Sequence, residues 1–247
     1  MNNSSTIHKI RLSDHNRREV SEYVRGQRDS NPHYTVIDVG GAAGGNPAYD
    51  VPANFIVDIK VPEGEDLGDR QLRERDNKEE IHYFAVNINY ESEWEKVLQY
   101  VEENGKFDFC LCTHTLEDVQ APEVAIKMFG RIAKEGYVAI PSKYRELSNW
   151  ESHHYKGYFH HRWIYSIKDN ELVAYPKLNF IEQDGFLSRL GDNSNDVADL
   201  SFFWKDYLSV RFMNDDHLGP GPYAGMAHYL DLNIDDIDFV RSSPENV

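Results

Sequence analysis

The sequence predicts a doubly wound α/β domain with a mostly parallel sheet, followed by a C-terminal aromatic and histidine-rich cap with a β-hairpin. Up to about residue 145, short continuous apolar runs alternate with helical patterns, which is typical of parallel strands covered on both faces. Residues 149–163 then concentrate four histidines and several aromatic rings. We therefore predict an N-terminal helical segment (1–30), a core (31–145) and a substrate cap (146–247) with the hairpin and closing strands, within the same domain.

Each element is predicted from its own residue pattern. Residues 7–30 have the pattern of a polar helix, which Asn31 and Pro32 end. The predicted strands are 34–39, 55–59, 81–86, 107–112 and 137–141, and the predicted helices are 91–104 and 122–134. Gly136 is expected to terminate the second of these helices. Residues 163–167 and 171–175 are predicted to pair as the hairpin, and 198–212 to supply one or two further strands.

The charge balance restricts the possible partners. The chain carries 26 Lys and Arg against 42 Asp and Glu, a formal net charge of −16. Because nucleic-acid binders gain affinity by neutralising phosphates, this charge argues against a nucleic-acid partner. The apolar runs are strand-sized and residues 1–6 lack signal-peptide character, so neither a membrane span nor secretion is predicted. Cys110 and Cys112 are not expected to form a disulfide, which predicts a cytoplasmic location.

A glycine-rich turn follows the first strand of the core. Its residues are 40–45, and Asp38 lies directly before them. Glycines there allow a ligand to approach the backbone closely. Asp58 ends the second strand. In dinucleotide-binding folds the acid that binds the ribose follows the glycine turn by roughly 20 residues, and the spacing between the turn and Asp58 is close to this value. The acidic Asp38, with Ala42 in place of the middle glycine, favours a cationic nucleoside ligand over a diphosphate and argues against a nicotinamide-dependent oxidoreductase.

Residues 38–44 and 107–119 together resemble motifs of the class I S-adenosylmethionine-dependent methyltransferases, a Rossmann-like family, and Asp58 matches the ribose-binding acid of that family. The resemblance covers roughly residues 30–145. It implies S-adenosylmethionine as the cofactor. By position in the motifs, the resemblance implies the following cofactor-binding residues: Asp38, Gly40, Gly41, Ala42, Asp58, Asn87, Ile88 and Thr113. Of these, Asn87 and Ile88 would lie near the adenine and Thr113 near the methionine part.

The histidines supply candidate catalytic groups. Imidazole is the side chain best suited to act as a general base near neutral pH, and the candidates follow the fourth and fifth strands of the core. They are His114, His154, His160 and His161. A divalent metal held by two histidines with Glu117 or Asp118 is possible but not favoured, because the spacing matches no compact metal motif; no metal ligand is assigned. Lys143, Arg145 and Arg162 are interpreted as solvated charges rather than as an anion site.

These patterns predict an enzyme that transfers a methyl group from S-adenosylmethionine to an oxygen of a small polar acceptor, with a histidine base. The acceptor is expected to be a sugar, a polysaccharide precursor or a natural product, because the predicted cap is rich in aromatic and polar side chains. The alternative is a catalytically inactive, methyltransferase-like module with a nucleoside-binding or regulatory role. A shortened helix after Gly45 would support that alternative.

Overall fold

A computed structural model describes residues 6–13, 17–41, 51, 53–59, 81–183, 191–213 and 240–241. The strands are β1 (Thr6–Ser13), β2 (Val36–Val39), β3 (Phe55–Asp58), β4 (His82–Ala85), β5 (Phe107–Thr113), β6 (Ala133–Pro141), β7 (Trp163–Lys168), β8 (Glu171–Pro176), β9 (Asp199–Lys205), β10 (Val210–Phe212) and β11 (Val240–Arg241). The helices are α1 (Arg17–Ser30), α2 (Glu95–Asn104), α3 (Pro122–Ile132) and α4 (Lys143–Glu146). Short 3-10 helices cover Glu91–Trp94, Asn179–Gln183 and Asn195–Val197.

The main sheet has the order β11-β1-β9-β6-β5-β2-β3-β4. Strands β2 to β6 are mutually parallel, and β9 runs antiparallel to both β6 and β1. The five parallel strands lie in the order β4-β3-β2-β5-β6, so the direction of winding reverses between β2 and β5. Ligands of doubly wound sheets bind at the carboxyl ends of the strands beside this reversal. The predicted fold class is confirmed by this topology.

Apolar side chains cover both faces of the sheet. On one face, Val20 and Val24 of α1 pack with Phe109 and Phe203. On the other face, α2 and α3 contribute to a larger cluster around β5, in which Phe129 stacks on Trp204 with ring centroids 6.0 Å apart. Cys110 and Cys112 are both free and are both buried in this second cluster, because side chains two apart in a strand point to the same face of the sheet and not to opposite faces.

The prediction of helix over residues 7–30 is wrong for its first part. Residues 6–13 form β1, which pairs with β9 through Leu12 opposite Leu200, and the helix α1 begins only at Arg17. Ile7 and Leu12 are buried in the core. The segment is a strand because β9 offers it a free edge along which to pair, and such tertiary pairing overrides a weak local helical pattern.

Gly136 does not end a helix. Helix α3 stops at Ile132 and β6 starts at the next residue, so Gly136 lies inside the strand. A Cβ at this position would lie 2.3 Å from the carbonyl oxygen of Cys110 and 2.6 Å from the ring of Trp204. The glycine therefore serves the close packing of β5 and β9 against β6 rather than a helix terminus.

The hairpin is confirmed. Strands β7 and β8 pair antiparallel, and Asp169 and Asn170 form the turn with positive φ angles. Strand β10 adds parallel to β8 and completes a three-stranded sheet. This small sheet is fixed to the loop after β5, because the Tyr165 hydroxyl donates to the carbonyl of Leu116 and the Trp163 indole donates to that of Val119. None of the described helices is long and apolar enough to cross a membrane.

Candidate active site

An open cleft of about 420 Å³ lies at the carboxyl ends of the parallel strands. It is lined by Gly40 after β2, by residues 57–59 at the end of β3, by 86–89 after β4, by 114–115 and 118–120 after β5, and by Arg162. Its volume is within the range of small-molecule sites. Four neighbouring strands thus supply its walls, at the place where the winding of the sheet reverses.

The glycine turn packs too tightly for larger residues. Gly40 has a φ of +79°, and a Cβ there would lie 2.3 Å from the side chain of Thr115. At Gly41, a Cβ would lie 2.5 Å from the Asp38 carboxylate. Gly40 therefore presents bare backbone to the cleft, whereas Gly41 packs on Asp38 and is not among the lining residues. Ala42 and the rest of the glycine-rich stretch, including the expected shortened helix after Gly45, lie outside the described residues.

Asp38 is a buried carboxylate near the end of β2. Its side chain lies beneath the turn and the residue is only 4% exposed. Among the described residues, its Oδ1 atom has no hydrogen-bond partner. Burial, and secondarily the negative charge of Asp58, raise the pKa of Asp38 to about 7. A cation bound nearby would therefore stabilise the ionised form of Asp38.

Two of the other predicted cofactor residues form the far wall of the cleft. Asn87 and Ile88 line it directly after β4. The backbone N–H of Asn87 donates to Glu93 at 2.7 Å, and the Trp94 indole donates to the carbonyl of Ile88 at 3.3 Å. These bonds hold the loop in place. Asn89, which the sequence reasoning missed, also lines the cleft.

Thr113 does not line the cleft. It is buried within β5, and Thr115, two residues further along, takes the lining position. The Thr115 hydroxyl donates to the carbonyl of Thr113 at 3.1 Å. The strand extends one residue further than predicted, so Thr113 is its last residue and Thr115, in the loop that follows, reaches the cleft instead.

His114 lies between two buried carboxylates. Its Nδ1 is 3.3 Å from Oε1 of Glu117, and its Nε2 is 3.4 Å from Oδ2 of Asp199. Burial of the ring opposes its charge, but the attraction of the two carboxylates outweighs burial and raises the pKa of His114 to about 10. The ring therefore holds its second proton at neutral pH, which argues against His114 as a general base. Asp199 comes from β9, and no sequence signal pointed to it.

His160 and His161 meet Asp118 at the rim of the cleft. Oδ1 of Asp118 is 3.6 Å from Nε2 of His160 and 3.7 Å from Nε2 of His161. On its other side, Nδ1 of His161 lies 2.7 Å from Oε1 of the fully buried Glu146. Asp118 itself lines the cleft, so this group of side chains opens onto it.

His154 lies elsewhere. It is exposed in the loop before β7, where its backbone N–H donates to Ser152 Oγ at 3.1 Å, and it does not line the cleft. Of the four predicted base candidates, the structure therefore brings His114, His160 and His161 to the cleft or its rim and leaves His154 away from it.

The interpretation of Lys143 and Arg145 as solvated surface charges is wrong. Both residues are buried, at 3% and 1% exposure. The Arg145 guanidinium donates to the carbonyl of Ser194 at 3.0 Å and lies over the Trp150 ring at 3.6 Å from its centroid. It therefore ties α4 to the segment before β9. Arg162 alone of the three lines the cleft.

Comparisons with known proteins find only distant likenesses. No protein-family model and no curated protein matches the sequence. The N-terminal domain of EvdMO1 with SAH bound is 13% identical, over 74% of this chain and 79% of that one, with a TM-score of 0.34. A cyclopropane-fatty-acyl-phospholipid synthase-like protein from Lactobacillus casei is 11% identical, over 79% of this chain and 96% of that one (TM-score 0.38).

A third solved structure, of the Thermoplasma acidophilum protein 1320, is 15% identical over 75% of this chain and 88% of that one, with a TM-score of 0.33. Likenesses at this level carry no argument about function. The doubly wound fold of the chain rests on its own strand order and register.

Proposed function

We propose that this protein is an S-adenosylmethionine-dependent methyltransferase that acts on a hydroxyl of a small polar acceptor. The observation that carries the proposal is the convergence of Gly40, Asp58 and an Asp38 oxygen without a hydrogen-bond partner among the described residues, at the end of the sheet where its winding reverses. A buried carboxylate beside a second acid is an unfavourable partner for a diphosphate and a favourable one for a cation. S-adenosylmethionine supplies a methyl group on a positively charged sulfur.

The residues of the cleft fit such a ligand. Asp58 is placed to accept hydrogen bonds from ribose hydroxyls, as acids at this position do in doubly wound folds. Ile88 offers an apolar wall and Asn87 an amide to the base. Gly40 lines the cleft with backbone alone, and Asp38, packed against Gly41, adds negative charge from below.

The acceptor would enter beside the loops that follow β5 and precede β7. His161 is the best-placed base, because Glu146 holds its Nδ1 and its Nε2 faces the rim. Such a carboxylate fixes the tautomer and orientation of the ring. Positioning of acceptor and donor lowers the activation barrier by up to about 7–11 kcal/mol, which is the larger contribution. A general base raises the rate by a further factor of about 10²–10⁴.

Calorimetric titration with S-adenosylmethionine tests the proposal. The wild-type protein is expected to bind one equivalent, and to bind NAD⁺ and NADP⁺ far more weakly because the negative charge of Asp38 beside the glycine turn repels their diphosphate. Formation of S-adenosylhomocysteine with a panel of sugars and phenols then tests turnover. Binding without turnover on any acceptor would favour the inactive-module alternative. Absence of binding, or preference for a nicotinamide dinucleotide, would contradict the proposal.

The affinity for S-adenosylmethionine is expected to depend on pH through Asp38. A cation lowers the pKa of this carboxyl from about 7, so binding below pH 7 must release its proton. Affinity should therefore rise about tenfold from pH 6 to pH 8. In Asp38→Asn the rise should disappear, with the affinity at pH 8 reduced. An equally steep pH dependence in the variant would show that another group is responsible.

A further inference from the structure

We infer that Asp118, His160 and His161 form a binding site for a divalent transition-metal ion at the rim of the cleft. One ligand atom from each of these residues lies within 4.8 Å of the others. The two Nε2 atoms are 3.6 and 3.7 Å from Asp118 Oδ1. Two ligand atoms that each lie about 2.1 Å from a zinc ion in tetrahedral geometry are about 3.4 Å apart. The distances from the two Nε2 atoms to Asp118 Oδ1 are therefore close to those expected in a zinc-bound site.

The surroundings of His161 point its free electron pair toward Asp118. Oε2 of Glu146 accepts a hydrogen bond from Lys177 Nζ at 2.8 Å, and Oε1 lies 2.7 Å from Nδ1 of His161. A carboxylate in that position accepts the Nδ1 proton, which leaves Nε2 as the acceptor. A buried carboxylate behind a histidine is the usual support of a metal-ligating imidazole.

The atom that faces His161 Nε2 is an oxygen of Asp118. Asp118 Oδ1 is buried and, among the described residues, has no hydrogen-bond partner. It faces the Nε2 atom of His161 across 3.7 Å, a distance too long for a hydrogen bond. Two acceptors that face each other repel unless a cation lies between them. A divalent ion satisfies both atoms at once, and two imidazoles with one carboxylate suit Zn²⁺, Mn²⁺ or Fe²⁺.

The site has room for a further ligand from the cleft. The His160 side chain is 60% exposed and the Asp118 side chain 41% exposed, so three protein ligands leave open coordination positions on that side. Asp118 lines the cleft directly. An ion held there would bind and orient an acceptor hydroxyl. This role of the ion rests on the proposed function. His161 could not then act as the base, because its Nε2 atom would be a ligand of the ion. The presence of the ion does not depend on that function.

Titration of the untagged, EDTA-treated full-length protein with Co²⁺ tests the site. We expect one ion per chain and visible absorption bands typical of nitrogen and oxygen ligands, with competition by Zn²⁺. His160→Ala, a change at an exposed side chain, should weaken binding at least tenfold. Glu146→Gln should weaken it about 10–100-fold through loss of the supporting carboxylate. The matched control is His153→Ala, which removes an exposed histidine of the same loop and should leave binding unchanged.

Equal Co²⁺ affinity in wild type, His160→Ala and Asp118→Asn would overturn the proposal, as would absence of a one-to-one complex. S-adenosylmethionine titration of the same metal-free protein separates the two proposals. Metal binding without cofactor binding supports the site and contradicts the proposed function. Cofactor binding without metal binding contradicts the site alone.

Discussion

Replacement of His114 by alanine is expected to lower the free energy of unfolding by about 3–5 kcal/mol at pH 7. The change removes the cation that lies between Glu117 and Asp199, both of which are buried. Breaking a buried ion pair on one side leaves uncompensated charge in the protein interior, which costs more than the lost attraction alone. Denaturant unfolding followed by circular dichroism measures this effect.

Three variants isolate the charge effect. His114 has a φ of 48°, so alanine also introduces backbone strain, whereas His114→Asn tolerates that conformation and removes the charge while keeping a polar side chain. Combining His114→Ala with Glu117→Gln should recover part of the lost stability, because the remaining buried charge is smaller. His153→Ala, at an exposed histidine, should change stability by less than about 0.5 kcal/mol. Additive losses in the double variant would contradict the ion-pair explanation.

The same ion pair gives the wild-type protein a pH-dependent stability. The pKa of His114 is raised from 6.5 in the unfolded chain to about 10 in the fold. The folded state therefore binds the proton more tightly, and this contribution is fully present below about pH 6.5 and is lost as pH rises through 10. Unfolding measured between pH 6 and pH 10 should show declining stability, and His114→Asn should flatten the decline.

Asp58→Ala is expected to weaken S-adenosylmethionine binding about 10–100-fold. One hydrogen bond to a charged acceptor contributes about 1.5–3 kcal/mol, and each 1.4 kcal/mol is a tenfold change in affinity. Asp58 lies at the open end of β3, so its removal should disturb the fold little. Calorimetry of the wild type and the variant at one pH measures the difference.

An analogue that lacks both ribose hydroxyls makes this test specific. If Asp58 binds the ribose, wild type and Asp58→Ala should bind the analogue with similar affinity, because the analogue has no ribose hydroxyl with which Asp58 could form a hydrogen bond. Glu103→Gln, which neutralises an exposed carboxylate on α2, serves as the control for net charge. An undiminished affinity of Asp58→Ala for S-adenosylmethionine would remove the ribose assignment and leave only the electrostatic argument from Asp38.

Much of the cleft could be predicted from local sequence. Gly40, Asp58, Asn87 and Ile88 come together because each follows a strand, and parallel strands all end at the same edge of the sheet. Continuous apolar runs were enough to identify those strands, since both faces are buried. Strand β5 ends one residue beyond its predicted end, so Thr113 is buried within it, and boundaries are the part of a pattern that local sequence specifies least.

Sequence by itself therefore determined the parallel core, the hairpin and the position of Gly40 and Asp58 at the cleft, because these depend on short-range periodicity and turn chemistry. Only the tertiary structure decided that residues 6–13 are a strand, that Asp199 reaches His114, and that Glu146 lies behind His161. Each of these contacts joins segments far apart in the chain or depends on a neighbouring strand for its hydrogen bonds. Their free energy comes from burial and pairing that exist only once the sheet is assembled, so no local pattern encodes them.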